Sequence, residues 1–279
     1  MKKLAFITLL FFGLFKGYAQ ETKPVLEKYT AHNKGKFYIF WGGNRSTYST
    51  SDIHFKGLDY DFTLYDVTSH DKPKGWNIDY INPTRMTIPQ TNFRMGYFIS
   101  DHYNVSIGLD HMKYVMNQDR AVNINGFYPN PGSYDELLPN NQVLLTEKFL
   151  TFEHTDGLNY INTEISRVDD LSKLIGLPNT DKFQINITEG VGAGFLYPKT
   201  NAMLMSKPRH DDFHISGYGL SAKAGLNFTF FKHFFIQTEL KGGYINMPDI
   251  RTTSENADRA SQHFLFFEKV IVFGGIFRL

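Results

Sequence analysis

Residues 218–230 read Tyr-Gly-Leu-Ser-Ala-Lys-Ala-Gly-Leu-Asn-Phe-Thr-Phe. Every second residue from Tyr218 to Phe230 is apolar, and the residues between them are small or polar. A period of two places all the apolar side chains on one face of a β-strand. The stretch is also longer than the about 9 to 11 residues that a tilted transmembrane strand needs. It therefore predicts a strand that crosses a bilayer with its apolar face toward lipid.

The same alternation recurs in 181–197, where Phe183, Ile185 and Ile187 share one face. Glu189 falls on that apolar face. A β-bulge next to Gly190 would switch the face on which the following residues lie, whereas an unbroken strand would leave a carboxylate facing lipid. We expect the bulge, because the adjacent glycine suits it.

Two short reversals, at 100–103 and 231–234, require antiparallel hairpins. Counting backward from the carboxyl terminus gives eight strands, at 36–46, 87–99, 104–117, 156–168, 182–198, 214–231, 234–247 and 264–279. The long connections, 47–86, 118–155, 199–213 and 248–263, then all lie on one side, as in barrels that have short periplasmic turns and long outer loops. The prediction is an all-β, antiparallel transmembrane β-barrel of eight strands.

Two further segments, 59–67 and 143–152, also resemble strands. They either extend hairpins above the membrane or form a fifth pair in a ten-stranded barrel. Composition favours a barrel of either size, because aromatic residues make up 16% of a chain whose mean hydropathy is only −0.32. A barrel reconciles these values by turning apolar side chains to lipid and polar ones inward. The competing fold is a soluble periplasmic β-sandwich, in which the apolar faces would form the core.

The amino-terminal residues have the pattern of an export signal. Lys2 and Lys3 precede the apolar run 4–15, and Gly17-Tyr18-Ala19 supplies small residues for cleavage. We expect 1–19 to be a cleaved signal peptide, 20–35 a periplasmic segment and 36–279 the barrel. Cleavage would leave 26 basic and 28 acidic residues, a balance that gives no electrostatic basis for binding nucleic acid. The absence of cysteine excludes disulfides and a lipid-modified cysteine.

The chain resembles the small outer-membrane β-barrel family of OmpA- and OmpX-like proteins of Gram-negative bacteria. The likeness lies in the architecture and in the closing strand. In that strand Phe273, Phe277 and Leu279 look like the terminal assembly signal, with leucine in place of the usual final aromatic residue. The resemblance implies insertion by the barrel-assembly machinery, location in the cell outer membrane, and contact with outer-membrane lipid and lipopolysaccharide. It does not define a function, because this architecture serves adhesins, enzymes, stabilisers and channels.

Six charged residues lie at positions predicted to face the barrel interior. They are Arg94, Asp110, Glu164, Lys223, Glu239 and Lys241. An eight-stranded barrel is just wide enough for side chains to fill it, so we expect a lumen polar network that blocks flow. The alternative is a narrow ion-selective path.

Two motifs invite a chemical interpretation. His154, with Glu153 or Asp156, could activate a water or hydroxyl nucleophile, although adjacent residues of a strand point to opposite faces and Asp156-Gly157 also suits a turn. His210, Asp211 and His214 could hold a metal ion, but they fall in a predicted outer loop whose geometry is not fixed by the sequence. No phosphate loop, dinucleotide fingerprint or zinc-protease motif is present, so we expect no cofactor.

The first long segment mixes acids with aromatics in Asp52-Ile53-His54-Phe55 and in 59–65. Such a surface suits binding of a sugar or protein, and it equally suits a hairpin that packs on its neighbours. The sequence therefore favours a non-enzymatic structural or surface-interaction protein whose extracellular ligand is unknown. The alternatives are an outer-membrane lipid A hydrolase or acyltransferase and a small passive channel.

Overall fold

The computed structural model describes residues 32–75, 89–177, 180–207 and 212–278. These residues contain fifteen β-strands, all paired antiparallel. None of them belongs to a helix with the length and apolar character needed to span a bilayer. The strands are β1 (Lys36–Tyr48), β2 (Ser51–Lys56), β3 (Asp61–Val67), β4 (Ser69–His70), β5 (Thr91–Phe98), β6 (Tyr103–Met116), β7 (Ala121–Phe127), β8 (Leu137–Leu138), β9 (Gln142–Leu144), β10 (Leu150–Asp170), β11 (Phe183–Leu196), β12 (Asn201–Leu204), β13 (Gly217–Phe230), β14 (Phe234–Arg251) and β15 (Arg259–Arg278).

Within the described ranges, eight strands form a closed ring in the order β1, β5, β6, β10, β11, β13, β14 and β15. The ring closes where β15 pairs with β1, from Lys36 opposite Arg278 to Tyr48 opposite Phe266. Closure leaves no exposed strand edge in the ring. The prediction of an antiparallel barrel is confirmed, with eight strands rather than ten. The connections β5–β6, β10–β11 and β13–β14 define the short-turn end, and the long segments lie at the opposite, loop end.

The two additional strand-like segments extend the fold beyond the ring. Segment 59–67 contains β3, which pairs with β2 and β7, while 143–152 overlaps β9 and the first residues of β10. The path continues from the loop end of β15 through β2, β3, β7, β9 and β8. Strand β12 pairs with β10, and β4 pairs with β6. We call this loop-end structure the head. It accounts for the strand-like segments without a fifth pair in the ring.

The outward face of the ring is an apolar belt. Alternate residues of the ring strands are exposed and apolar, and they include Phe37, Ile39, Met95, Tyr97, Tyr103, Val105, Ile107, Ile165, Ile187, Val191, Phe195, Tyr218, Leu220, Leu226, Phe234, Ile236, Leu240, Leu265, Phe267, Ile271, Phe273 and Phe277. A water-soluble surface would not present so continuous an apolar area. The belt is the outward half of the alternation that the sequence predicted.

Glu189 lies on this belt, and the predicted bulge is wrong. The β11 register passes Glu189 opposite Ala224 on one side and opposite Arg167 on the other, with no shift. Glu189 is exposed between Ile187 and Val191 on the outward face. Arg167 lies opposite Glu189 in the register and is also exposed, but its guanidinium pairs with Asp169 on its own strand, with Nε 2.6 Å from Oδ2.

Two apolar clusters occupy the interior. The lower cluster, at the short-turn end, consists of Tyr38, Phe40, Phe98, Phe235, Val270 and Val272, with Val168 and Ile276 packed against it. The second cluster, the head core, is larger and joins the loop ends of β6, β10, β14 and β15 to β2, β3 and β7. Within the head core, Phe62 packs against Phe55, Phe149 and Tyr128 with ring centroids 5.4, 5.9 and 5.6 Å away. The head is therefore a packed structure rather than a set of separate loops.

The packing of Phe62 gives a first testable expectation. Phe62→Ala should lower the free energy of unfolding by about 3–5 kcal/mol, because it removes a buried ring and leaves a cavity. Thr63→Ala, which alters the outward face of the same strand, is the matched control and should change it by less than about 1 kcal/mol. Urea unfolding in lipid vesicles measures both changes, and equal losses in the two variants would contradict the packed head core.

Candidate functional site

The six predicted lumen residues all face the interior, and each is at most 7% exposed. Glu164 is their common partner. Its Oε1 lies 2.9 Å from Arg94 Nη2 and 2.8 Å from Lys241 Nζ, and its Oε2 lies 2.8 Å from Lys223 Nζ. These cations come from β5, β14 and β13, so one carboxylate of β10 connects four strands of the ring.

The remaining two carboxylates join the same network. Asp110 pairs with Lys241 and lies 3.8 Å from Arg94 Nη2, while Glu239 Oε1 lies 2.7 Å from Lys223 Nζ. The structure thus brings all six residues together in one layer of alternating charge. Buried ions require such pairing, because their desolvation otherwise costs several kcal/mol each.

Amide side chains complete the network, and the sequence analysis missed them. Asn92 donates to Asp110 Oδ1 at 2.8 Å, and Asn162 donates to Asp110 Oδ2 at 2.9 Å. Gln237 donates to Glu239 Oε1 at 2.6 Å. Each lies two residues from a charged member on the same strand and so shares its inward face. A polar amide residue two positions from an inward-facing charged residue is the sequence signal that could have identified them.

Glu268 is a seventh ionisable member that the sequence analysis also missed. It is fully buried, and neither of its carboxylate oxygens has a hydrogen-bond partner among the described residues. Lys241 stands opposite it in the β14–β15 register, but the ammonium of Lys241 is taken by Asp110 and Glu164. The layer therefore holds three basic and four acidic side chains, with Glu268 as the unpaired one. We call these seven residues the charged layer.

The charged layer lies between the two apolar clusters. Along β15 the inward residues run from Val272 and Val270 of the lower cluster to Glu268, and then to Phe266 and Phe264 of the head core. Glycine provides part of the space for so many side chains. A Cβ at Gly108 would lie 2.8 Å from Arg94 Cζ, so the guanidinium rests directly on bare backbone. The described interior is filled at three successive levels.

His154 belongs to the head core and not to a catalytic constellation. Its side chain is fully buried, its Nδ1 lies 3.0 Å from Thr200 Oγ1, and its ring packs against Tyr114 and Phe152. The neighbouring residues Glu153 and Thr155 face outward and are polar, so this part of β10 lies beyond the apolar belt, on the side of the head. Burial lowers the pKa of His154 to about 3. The imidazole is therefore neutral at physiological pH.

Neither proposed partner reaches that imidazole. Glu153 points to the opposite face, where it accepts a hydrogen bond from Asn201 Nδ2 at 2.8 Å and pairs with Lys72 at 3.3 Å. Asp156 is exposed and pairs with Lys199 at 3.7 Å. The structure does not bring His154, Glu153 and Asp156 into one site. Glu153 points to the opposite face as the pleat requires, and the register of β10 against β6 shifts between His154 and Leu158, which turns Asp156 outward.

The predicted metal ligands cannot be assembled. His210 and Asp211 lie outside the described residues. His214 contacts Asp249, with Nε2 2.7 Å from Oδ2, and Asp249 also pairs with Arg259 at 2.8 Å. No group of three or more potential metal ligands occurs in the described part of the chain.

The first long segment divides its residues between two faces. Phe55 and Phe62 point into the head core, so for them the packing interpretation applies. His54 and Asp61 point outward, with Nε2 and Oδ1 2.7 Å apart, and this hydrogen bond holds the pKa of Asp61 below its usual value.

The exposed side of β2, β3 and β7 is a continuous surface. Register places Lys56, Asp61 and Phe127 in one row and His54, Thr63 and Asn125 in the next. We call these six residues the outer sheet face. It mixes charge, amide, hydroxyl and aromatic groups on a backbone held by the ladder beneath it.

A closed eight-stranded ring with an apolar outer belt and a charged interior is the architecture of a bacterial outer-membrane protein. The chain is an outer-membrane β-barrel. Its location is the outer membrane.

The solved structures that resemble this chain are outer-membrane proteins, and the resemblance is distant. No family model and no curated protein matches the sequence. Among solved structures, the outer membrane protein OprG from Pseudomonas aeruginosa aligns at 11% identity and a TM-score of 0.38, over 89% of this chain and 99% of that one. The attachment invasion locus protein Ail of Yersinia pestis aligns at 11% identity and a TM-score of 0.32, over 88% and 99%. At these TM-scores the matches add no weight to the fold, which rests on the strand pairing.

The assembly-signal residues lie at the end of β15. Phe273 and Phe277 face outward in the belt, and both are exposed. Leu279 lies outside the described residues. The geometry is that of two aromatic groups spaced along the lipid-facing side of the strand that closes the ring against β1.

The charged layer yields a paired test. Glu164→Gln should lower the free energy of unfolding by about 3–5 kcal/mol, because it leaves three buried cations without their shared carboxylate. Glu268→Gln should produce little loss or a gain, since the carboxylate it removes has no partner. Urea titration in vesicles provides the measurement for both.

Both variants replace a buried, inward-facing glutamate by glutamine, so each is a control for the other. If Glu164→Gln were as stable as the natural protein, the network would not constrain the ring. A large loss in Glu268→Gln would show that Glu268 has a partner in solution.

Proposed function

We propose that this protein is a closed, non-enzymatic surface-interaction protein, in which the barrel anchors a rigid external head that binds a partner through the outer sheet face. The observation that carries the proposal is the filled interior beneath a packed head. Lower cluster, charged layer and head core follow one another along the same strands, so the barrel offers a fixed support rather than a passage.

The interior argues against a passive channel. An ion that entered from either end would meet a layer of packed aromatic and aliphatic side chains, where it would lose its hydration without replacement. Between these layers, Arg94, Lys223 and Lys241 are already held by carboxylates in close ion pairs. A conducting path would require both apolar clusters to separate.

The channel alternative is tested by planar-bilayer recording. The purified protein, inserted and verified by its mobility shift on heating, should give no discrete conductance steps. Steps that recur at a constant amplitude would overturn the closed-barrel proposal. A porin of about 16 strands, whose interior leaves an aqueous channel, is recorded in the same chamber to show that insertion can be detected.

The outer sheet face suits a binding role for two reasons. Its backbone is held by the β2–β3–β7 ladder and by the aromatic packing below it, so little entropy is lost on binding. Its side chains combine a charged pair, His54 and Asp61, with the exposed ring of Phe127, and such mixtures give both area and direction to a contact. Rigid scaffolds that present exposed polar surface are common sites of recognition.

The binding role predicts a localised loss. Protein in nanodiscs should capture a glycan or matrix protein from an array, and Thr63→Lys with Asn125→Lys should reduce that binding at least tenfold, because two long cations would occupy the centre of the outer sheet face. Lys173→Glu, in the short turn at the opposite end, should leave binding unchanged. Retention of binding by the double lysine variant would reject this face as the contact surface.

The proposal includes assembly and lipid contacts that follow from the location. Export would use the signal at 1–19, with 20–35 left in the periplasm ahead of the barrel. The barrel-assembly machinery would read the β15 terminus, where Phe273 and Phe277 supply the aromatic groups. Outer-membrane lipid and lipopolysaccharide would contact the belt and its upper rim.

A further inference from the structure

A cleft of about 450 Å³ opens on the outer surface where the belt meets the head. Its walls come from the β1–β2 connection, the end of β3, and strands β14 and β15. Its lining includes Tyr244 and His263, whose ring centroids are 6.1 Å apart, and Leu265, which faces outward on β15. Asp52 and Asp66 also line the cleft. Neither the outer sheet face nor the charged layer includes these residues.

The cleft is held in shape by its own backbone contacts. Ser49 N donates to Leu265 O at 2.9 Å, and Leu265 N donates to Ser49 Oγ at 3.0 Å, so the β1–β2 connection is fixed to β15. Asp66 N donates to Asp52 Oδ1 at 3.0 Å, which fixes the Asp52 carboxylate against the backbone of Asp66. The site therefore exists before a ligand arrives, and binding has a smaller ordering cost.

The charge and chemistry of the walls restrict the ligand. The described lining contains two carboxylates and no lysine or arginine, so an anion that carries no cationic group of its own would be repelled. The carboxylate of Asp66 has no partner among the described residues. An ammonium group fits this arrangement, because carboxylates accept its hydrogen bonds and aromatic rings such as that of Tyr244 attract cations.

The position of the cleft restricts the ligand further. Leu265 is 59% exposed, and Phe267 follows it outward on the same strand, so an apolar surface runs from the cleft into the belt. A molecule with its ammonium group between Asp52 and Asp66 would place an attached acyl chain along that surface. Because the cleft adjoins the edge of the apolar belt, a lipid that covers the belt can reach it with its headgroup.

We propose that this cleft binds an amine-bearing amphiphile, namely an outer-leaflet lipid whose headgroup ends in an ammonium. The ammonium contacts Asp52, Asp66 and the Tyr244 ring, and the acyl chain contacts Leu265 and Phe267. The inference depends on the outer-membrane location but not on the binding role of the outer sheet face. A failure of one therefore leaves the other unchanged.

Native mass spectrometry of the full-length mature protein, extracted from vesicles with equal amounts of phosphatidylethanolamine and phosphatidylglycerol of matched chains, tests the proposal. The natural protein should retain phosphatidylethanolamine at least fivefold over phosphatidylglycerol. The double variant Asp52→Asn with Asp66→Asn should reduce the ratio to about one. Asparagine preserves the Oδ1 acceptor of Asp52 and tolerates the left-handed backbone of Asp66, at φ 54°, so the variant should fold.

Asp119→Asn is the matched control. Asp119 is also an exposed aspartate of the head with a left-handed backbone, at φ 56°, but it lies outside the cleft. This variant should keep the preference of the natural protein, and mobility on unheated gels should show that all three forms are folded.

Each of the remaining outcomes contradicts either the ammonium site or the assignment of its ligand to a lipid. Equal retention of the two lipids by the natural protein rejects an ammonium site, as does an unchanged preference in the double asparagine variant. Free ethanolamine added to protein in phosphatidylglycerol vesicles separates the two sources of the amine. If it binds in an Asp52- and Asp66-dependent way while the lipid preference is absent, the site takes a soluble amine and the lipid assignment is wrong.

Discussion

Glu164 contacts cations from three other strands, and the interior of the barrel is organised around that carboxylate. Arg94, Lys223 and Lys241 reach it from β5, β13 and β14, so its position depends on strands on different sides of the ring. A slip of one strand by a single residue would turn its charged side chain toward lipid. The network therefore constrains the register of the ring, in addition to any contribution it makes to stability.

Stability alone is a weak explanation for the charged layer. Replacement of a buried ion pair by packed apolar residues is often neutral or favourable in proteins, whereas removal of one partner is costly. The layer also contains an acidic residue, Glu268, with no partner, and an arrangement selected only for stability would not require it. We infer that the layer specifies which strands face one another, while the apolar clusters on either side supply most of the burial.

The sequence predicted the ring because a membrane strand repeats every two residues and its outward half must be apolar. Strand β13 and the hairpins at 100–103 and 231–234 could be predicted, because alternation and short turns are local features of the sequence. The pairing within the head could not be predicted, since β2, β3 and β7 pair across connections that the alternation does not specify. Partners such as Asn162 for Arg94, with Nη2 2.7 Å from Oδ1, likewise depend on which walls of the ring face each other.

Errors at single residues had identifiable causes. The bulge near Glu189 was inferred from the cost of one carboxylate facing lipid, but the ladder on both sides of β11 is continuous, and a bulge would have displaced the pairing of every later residue. Glu268 was not predicted as a lumen residue, because the many aromatic residues of its strand indicate an apolar strand. The grouping of His154 with Glu153 and Asp156 is wrong because the strand places Glu153 on the opposite face and the irregularity between His154 and Leu158 turns Asp156 outward.

Continuity between barrel and head relates the filled interior to external binding. Strands β10, β14 and β15, with 21, 18 and 20 residues, extend from the ring into the head, with register shifts at 154–158 in β10 and at 247–250 in β14. A contact with the outer sheet face is therefore transmitted to a ladder whose lower part is held by the charged layer. Such a head keeps a constant orientation to the membrane, so the partner and the lipid that we propose would be held at a fixed distance from one another. Under this proposal the barrel serves recognition rather than transport, because transport would require the same interior to open.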